Sequence, residues 1–148
     1  MIEPRYEWIS YPAEDPGDGL FVWEAEHVGT KVRVLVNPTM MQVRNESALF
    51  TESLGTDIDK QDAYWQYIAP RIPEWNLQYL NEKGKAVDLA APTERWESLL
   101  DLPFQLAMWI RITAHLAHVP KILARLQNLP ATTDSTPSTS PVPQSSPA

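Results

Sequence analysis

The chain has 148 residues, a net charge of −7 and 43% hydrophobic residues, with six Trp among them. This length suits one packed core and leaves two independent domains marginal. The lack of Cys excludes a disulfide framework, thiolate zinc sites and cysteine nucleophiles, and the acidic balance excludes phosphate-backbone binding as a main role, because nucleic-acid affinity needs clustered Lys and Arg.

The N-terminus, MIEPRYEWISYP, has neither a basic region nor an apolar run and does not read as a secretory signal. Residues 2–19 are rich in Pro and acid around Tyr6, Trp8 and Tyr11, which are expected to anchor an irregular arm to the core. Two segments then alternate with period two, Leu20–His27 and Lys31–Asn37, separated by Val28-Gly29-Thr30. This pattern predicts a β-hairpin with Phe21, Trp23 and Ala25 facing Val36, Val34 and Val32 on one side, and Glu24 and Glu26 facing Arg33 and Lys31 on the other.

Thr39 reads as the N-cap of a helix with Gly55 just past its end. Met40, Val43, Phe50 and Leu54 form its apolar stripe, interrupted by Ser47, and Met40 and Met41 read as core filler. A second helix is expected from Asp57 or Asp59 to about Ala69, turning Tyr64, Trp65, Ile68 and Ile72 inward and breaking at Pro70 and Pro73. A small hairpin turns at Asn81-Glu82-Lys83-Gly84. Beyond Pro92-Thr93 a helix should bury Trp96, Leu99 and Leu100, and a longer one should begin at Pro103, capped by Asp101. From Phe104 to Val119 apolar positions nearly encircle the axis, which predicts burial on several sides or a covering partner. The run 103–119 is shorter than the roughly 20 residues a bilayer needs and contains Arg111, His115 and His118. Pro120 marks a break, and Lys121–Leu129 continues as an amphipathic turn or two. The fold class expected is α+β: an N-terminal β-hairpin packed on about four α-helices, with a small central hairpin, in a single domain over 1–130. Residues 131–148, rich in Ser, Thr and Pro, are expected to be a disordered tail.

Charge is unevenly spread. Residues 1–102 carry 18 acids and 9 bases, whereas 103–130 carry Arg111, Lys121 and Arg125 and no acid. The candidate contact surface is therefore the acid-free C-terminal helix around Trp109, Arg111 and His115, together with Arg125 and with Trp75 in its Pro-bounded turn; near-continuous apolarity there calls for a cover. Motifs for chemistry are sparse. His115 and His118 share the spacing of a metal pair but have no third ligand nearby, and Glu24 with Glu26, or Asp57 with Asp59, fall at positions that read as solvated. The five Gly form no phosphate-cradling loop. No catalytic residue, metal site or cofactor is assigned.

The order of features from Ile68 onward resembles small tail-assembly chaperones and related tail-gene proteins of long-tailed bacteriophages. Trp75-Asn76-Leu77 follows a helix, the turn Glu82-Lys83-Gly84-Lys85 follows it, and Leu102-Pro103 opens the last helix. The likeness covers about 65–110 and extends loosely to the preceding strands and Asn37-Pro38-Thr39. It implies a non-enzymatic protein that keeps a tape-measure protein soluble and recruits tail-tube subunits in the cytoplasm of an infected bacterium, with no nucleic-acid or membrane partner; homo-oligomerisation is left open. A structural virion protein, such as a tail-completion or adaptor subunit, and a small carbohydrate- or ligand-binding module built on the Trp set are the competing readings.

Overall fold

A computed structural model describes residues 2–127. The expected tail, and the end of the last amphipathic segment, lie outside these residues. Five short strands and four α-helices make a small α+β fold. The strands are β1 (Tyr6–Ser10), β2 (Lys31–Leu35), β3 (Glu74–Trp75), β4 (Gln78–Leu80) and β5 (Ala86–Asp88); the helices are α1 (Met40–Glu52), α2 (Ile58–Ile68), α3 (Phe104–Leu116) and α4 (Pro120–Leu126). Among the described residues no helix is long and apolar enough to cross a membrane.

β2 is the centre of an antiparallel three-stranded sheet, order β1-β2-β3, with Ile9 opposite Val32 and Trp75 also opposite Val32. Ile9, Val32 and Val34 are fully buried, while Arg33 on the other face pairs with Glu74 at 2.7 Å. An N-terminal antiparallel pair is thus present, but its first strand is Tyr6–Ser10, not Leu20–His27. The 20–27 segment instead runs irregularly, leaves Val22 exposed and ends in a 3-10 turn at Ala25–His27. Alternation is readable in Leu20–His27 and not in Tyr6–Ser10, where Trp8 and Ile9 are adjacent, so local pattern favours the segment that stays unpaired. The choice is made by long-range clamps at each end of β2. Asn37 accepts from the Arg5 amide (2.6 Å) and donates to the Glu3 carbonyl (2.9 Å). At the other end, Asn76 accepts from the Lys31 amide (2.8 Å) and donates to the Gly29 carbonyl (2.9 Å). With both edges of β2 occupied, the 20–27 segment has no ladder to join. It is held by side chains instead: the Tyr11 hydroxyl accepts from the Glu24 amide, and Trp23 Nε1 donates to the Pro12 carbonyl.

Helix boundaries follow their caps. Thr39 and Gln42 form a reciprocal capping box at the start of α1, and Asp57 caps α2 through the Asp59 amide. Only part of the expected apolar stripe of α1 faces the core: Phe50 packs there and Val43 is partly buried. Met40 is 75% exposed, and Met41 and Leu54 also face solvent, whereas Glu46 and Ser53 are buried and Leu49 and Phe50 pack against the core. α2 turns Tyr64, Trp65 and Ile68 inward, and Ile72 is buried beyond a 3-10 turn at Ala69–Arg71. That turn sits at Pro70, whose ring and missing N–H end the α-helix. The central hairpin is β4–β5; Gly84 takes φ +73°, and Asn81 Oδ1 accepts from the Lys83 and Lys85 amides. Trp96–Asp101 forms a 3-10 segment rather than an α-helix, burying Leu99 and leaving Leu100 exposed. Asp101 does not cap α3. It pairs with Arg95 at 2.7 Å, and Pro103 occupies the N-cap position without a side-chain bond. α3 lies against β2, and its Leu106, Trp109 and Ile110 complete the core under the sheet.

Ile9→Ala should lower stability by about 2–4 kcal/mol through the cavity it leaves. Urea unfolding checks this, and a change below about 0.5 kcal/mol, as expected of an exposed site, would return residue 9 to an irregular arm.

Candidate functional site

Three helices meet at one buried carboxylate. Glu46, fully buried on α1, accepts a hydrogen bond from the Tyr64 hydroxyl of α2 (2.9 Å, Oε2) and is hydrogen-bonded at the same oxygen to His115 Nδ1 of α3 (2.6 Å). Phe50 fills the space beside it. The His115 ring stacks on Phe50 with centroids 4.4 Å apart, Tyr64 meets Phe50 edge-on, and the Arg111 guanidinium lies 4.5 Å from the Phe50 centroid and 5.0 Å from that of Tyr64. Arg111 Nη2 donates to Ser53 Oγ (2.6 Å) at the end of α1. Burial pushes the Tyr64 phenol above its ordinary value, and the adjacent negative charge of Glu46 adds to this. Burial also lowers the Arg111 guanidinium from its usual value. A carboxylate and an imidazole in contact have the makings of acid–base chemistry. Neither Glu46 nor His115 lines any of the five principal clefts, although their neighbours Tyr64 and Arg111 line one of them. The arrangement suits helix-to-helix fastening.

The five residues expected to face a partner are not gathered into one outer face. Trp109 is 1% exposed and meets the Tyr11 ring edge-on at 5.1 Å, so it presents nothing to a partner. His115 and Arg111 share α3 and converge on Phe50, with His115 turned to Glu46. Trp75 is half-buried and donates from Nε1 to the Leu89 carbonyl (2.8 Å), tying β3 to the strand exit of the central hairpin. Arg125 on α4 pairs with Asp18 at 2.9 Å. Trp75-Asn76-Leu77 is therefore a corner of the fold: Trp75 and Leu77 pack on the core and Asn76 clamps the turn before β2. The Trp residues are also dispersed, since none of the five principal clefts is lined by more than one of them.

What α3 does expose lies at its first turn. Phe104 is 69% exposed, and with Leu100 (50%) and Leu54 (65%) it rims an open groove of about 440 Å³ between the end of α1, α2, the Trp96–Asp101 segment and α3. Trp65, Leu99, Ala107 and Met108 also line it, and Arg111 is the one charged residue among the lining side chains. The apolar excess of 103–119 pointed to an uncovered face. The groove itself is out of reach of sequence patterning, because its walls come from four separated segments, α2 among them, and the pattern assigns Leu54 and Leu100 to buried faces.

A second, polar cleft of about 660 Å³ lies between the central hairpin and the start of α3, with Glu26, His27, Asp88, Arg95 and Asp101 in its lining. At its edge Glu24, Glu26 and His27 bring their ligand atoms within 4.8 Å of one another. Two carboxylates and an imidazole are a donor set that could hold a divalent cation. The hydrogen bond of His27 Nε2 to Glu24 Oε1 (2.9 Å) is enough to account for their approach. Sequence reading separated His27 from this pair in function because it placed all three along a strand, where Glu24 and Glu26 would face away from it. Comparison of the chain with family models, with curated proteins and with solved structures finds no match.

Glu46→Ala should cost about 3–5 kcal/mol, since it strips two buried polar partners at once, whereas Glu46→Gln, which keeps an acceptor of the same size, should cost less; chemical denaturation at pH 7 checks the order. The raised phenol of Tyr64 stabilises the fold fully below pH 10.0 and loses that contribution as pH climbs further. Stability should therefore fall above about pH 10 by up to about 1.4 kcal/mol per pH unit for this one group. In Tyr64→Phe, which is weaker at pH 7, the alkaline decline should be shallower, as read from urea midpoints between pH 7 and 12.

Proposed function

We propose that this protein works by holding another protein, without catalysis, through the apolar groove at the first turn of α3. The observation that carries the reading is the cluster of Leu54, Leu100 and Phe104, each at least half exposed around a single groove. Exposed apolar surface gathered around one groove marks a place for a partner, and a concave site lined by hydrophobic and aromatic side chains is where such contacts form. Engagement of Glu46, His115, Tyr64 and Arg111 with one another supports assigning the ionisable cluster to the fold rather than to turnover.

The biological setting we propose follows the resemblance of Trp75-Asn76-Leu77, the Glu82–Lys85 turn and Leu102-Pro103 to tail-assembly chaperones of long-tailed bacteriophages. In that setting the partner is a tape-measure protein, kept soluble in the infected cell until tail-tube subunits polymerise around it. The groove supports a chaperone that binds reversibly: it is open, modest in size and rimmed by a few large side chains, in contrast with the extended apolar interface of an obligate subunit.

Co-expression with a tape-measure fragment of the same phage tests this. The native chain should keep the fragment soluble and co-purify with it. Phe104→Asp and Leu54→Asp, both at exposed positions, should leave the chain folded by circular dichroism and lower recovery of the soluble complex about tenfold or more, the scale of losing one anchor residue. Undiminished recovery with both variants would sink the groove as the contact site. Mass spectrometry of purified particles separates the chaperone from a structural virion protein, since only the latter persists there.

A further inference from the structure

We infer that the groove selects a partner segment carrying a carboxylate among its apolar side chains: the apolar face of an amphipathic helix with one Asp or Glu set to meet Arg111. This rests on the groove being the contact site and adds the chemistry of its occupant.

The groove lining contains no acid and one base, Arg111, so its one full charge is positive and lies among mainly apolar walls with Ser53, Gln61 and Tyr64 as the neutral polar members. That charge is under-compensated. Among the described residues the guanidinium makes one hydrogen bond, to the neutral Ser53 hydroxyl, and no carboxylate lies within 4.0 Å of it. Its Nε is buried without a hydrogen-bond partner. Glu46 acts on it through space without a hydrogen bond: its Oε2 is bonded to Tyr64 and His115, and its Oε1 is buried without a partner more than 4.0 Å from the guanidinium nitrogens. A guanidinium presents five donors in a planar fork that fits a carboxylate. With Phe50 and Tyr64 under its faces, Arg111 is held in position by rings that cannot neutralise it.

Charge complementarity therefore favours an acidic residue in the occupant over a neutral or basic one, because a Lys or Arg brought beside Arg111 would meet a like charge in a poorly solvated place. The walls favour a helix. They are the end of α1, one side of α2, a 3-10 segment and the first turns of α3, and helical ridges of this kind receive the ridges of another helix. Leu54, Leu100 and Phe104 at the rim would pack against its apolar row, with the carboxylate reaching inward.

The experiment uses the full chain and a synthetic helical peptide built on Ala and Gln, with Leu along one face and a single Glu within that face, alongside its twin with Gln in place of Glu. Titration calorimetry should show the Glu peptide binding about tenfold more tightly, the difference between a charge-assisted and a neutral hydrogen bond. The advantage should shrink as salt is raised. Arg111→Gln should erase the preference, and the comparison of the two peptides on the native chain does not depend on how that variant folds. Equal binding of the two peptides, weakened in both cases by Phe104→Asp, overturns the carboxylate inference and leaves the groove in place. Binding that Phe104→Asp does not weaken overturns the groove itself. Failure of both peptides to bind at millimolar concentration overturns the inference as well.

Discussion

The helical half of the molecule depends on the burial of a single carboxylate. Glu46 lies where three helices converge, and no apolar side chain there could accept from Tyr64 and engage His115 together. Burying an ionisable group is costly unless it is paired and hydrogen-bonded, so the position is tolerable only when α1, α2 and α3 are assembled in one arrangement. That makes it a device of register. A purely apolar contact at Glu46 would let α1 rotate or slide, whereas the hydrogen bonds to two other helices do not. Phe50 and Arg111 complete the junction. The first stacks between His115 and the edge of Tyr64, and the second reaches from α3 to Ser53 at the end of α1. The orientation of α1 follows: with Glu46 and Ser53 inward, Met40, Met41 and Leu54 are carried to the surface.

The sheet half is organised by a different constraint, the occupancy of both edges of β2. Asn37 and Asn76 stand at opposite ends and tie it to the residues before β1 and the residues after β3. Each Asn uses its carbonyl and its amide at once, as a backbone peptide would. The aromatic corner Trp75-Asn76-Leu77 thus links the sheet to the central hairpin through Trp75 Nε1 and the Leu89 carbonyl. The residues that carry most of the likeness to tail-assembly chaperones are accordingly residues of architecture.

These two constraints together make the groove. Rotation of α1 by Glu46 delivers Leu54 to one rim, and the 3-10 geometry of Trp96–Asp101 turns Leu100 outward where an α-helix would have kept it with Leu99. Pro103 at the N-cap of α3 then leaves Phe104 on the first exposed turn. Arg111, two turns further along the same helix, lines the groove while stacking on the rings of the junction. The exposed apolar rim of the groove and the charge within it are consequences of how the core is fastened.

The sequence by itself determined the features whose signals are local. Thr39 and Asp57 mark helix starts because a side-chain oxygen can satisfy amides only two or three residues away. Pro70 marks the break after α2, Asn81 and Gly84 mark the hairpin turn, and Tyr64, Trp65, Ile68 and Ile72 announce an inward face. The α+β class follows from these. Only the tertiary structure decided which strand pairs with β2, because the alternating signal lies in Leu20–His27 and the Asn clamps that select Tyr6–Ser10 instead span more than thirty residues. It alone decided the buried face of α1, since a Glu reads as exposed until its partners from two other helices are in place. It alone turned Trp109, Arg111 and His115 inward. An apolar helix signals that something must cover it without saying whether that is the protein's own sheet or another molecule. Here its own core covers most of it, and the uncovered remainder is the groove at Phe104.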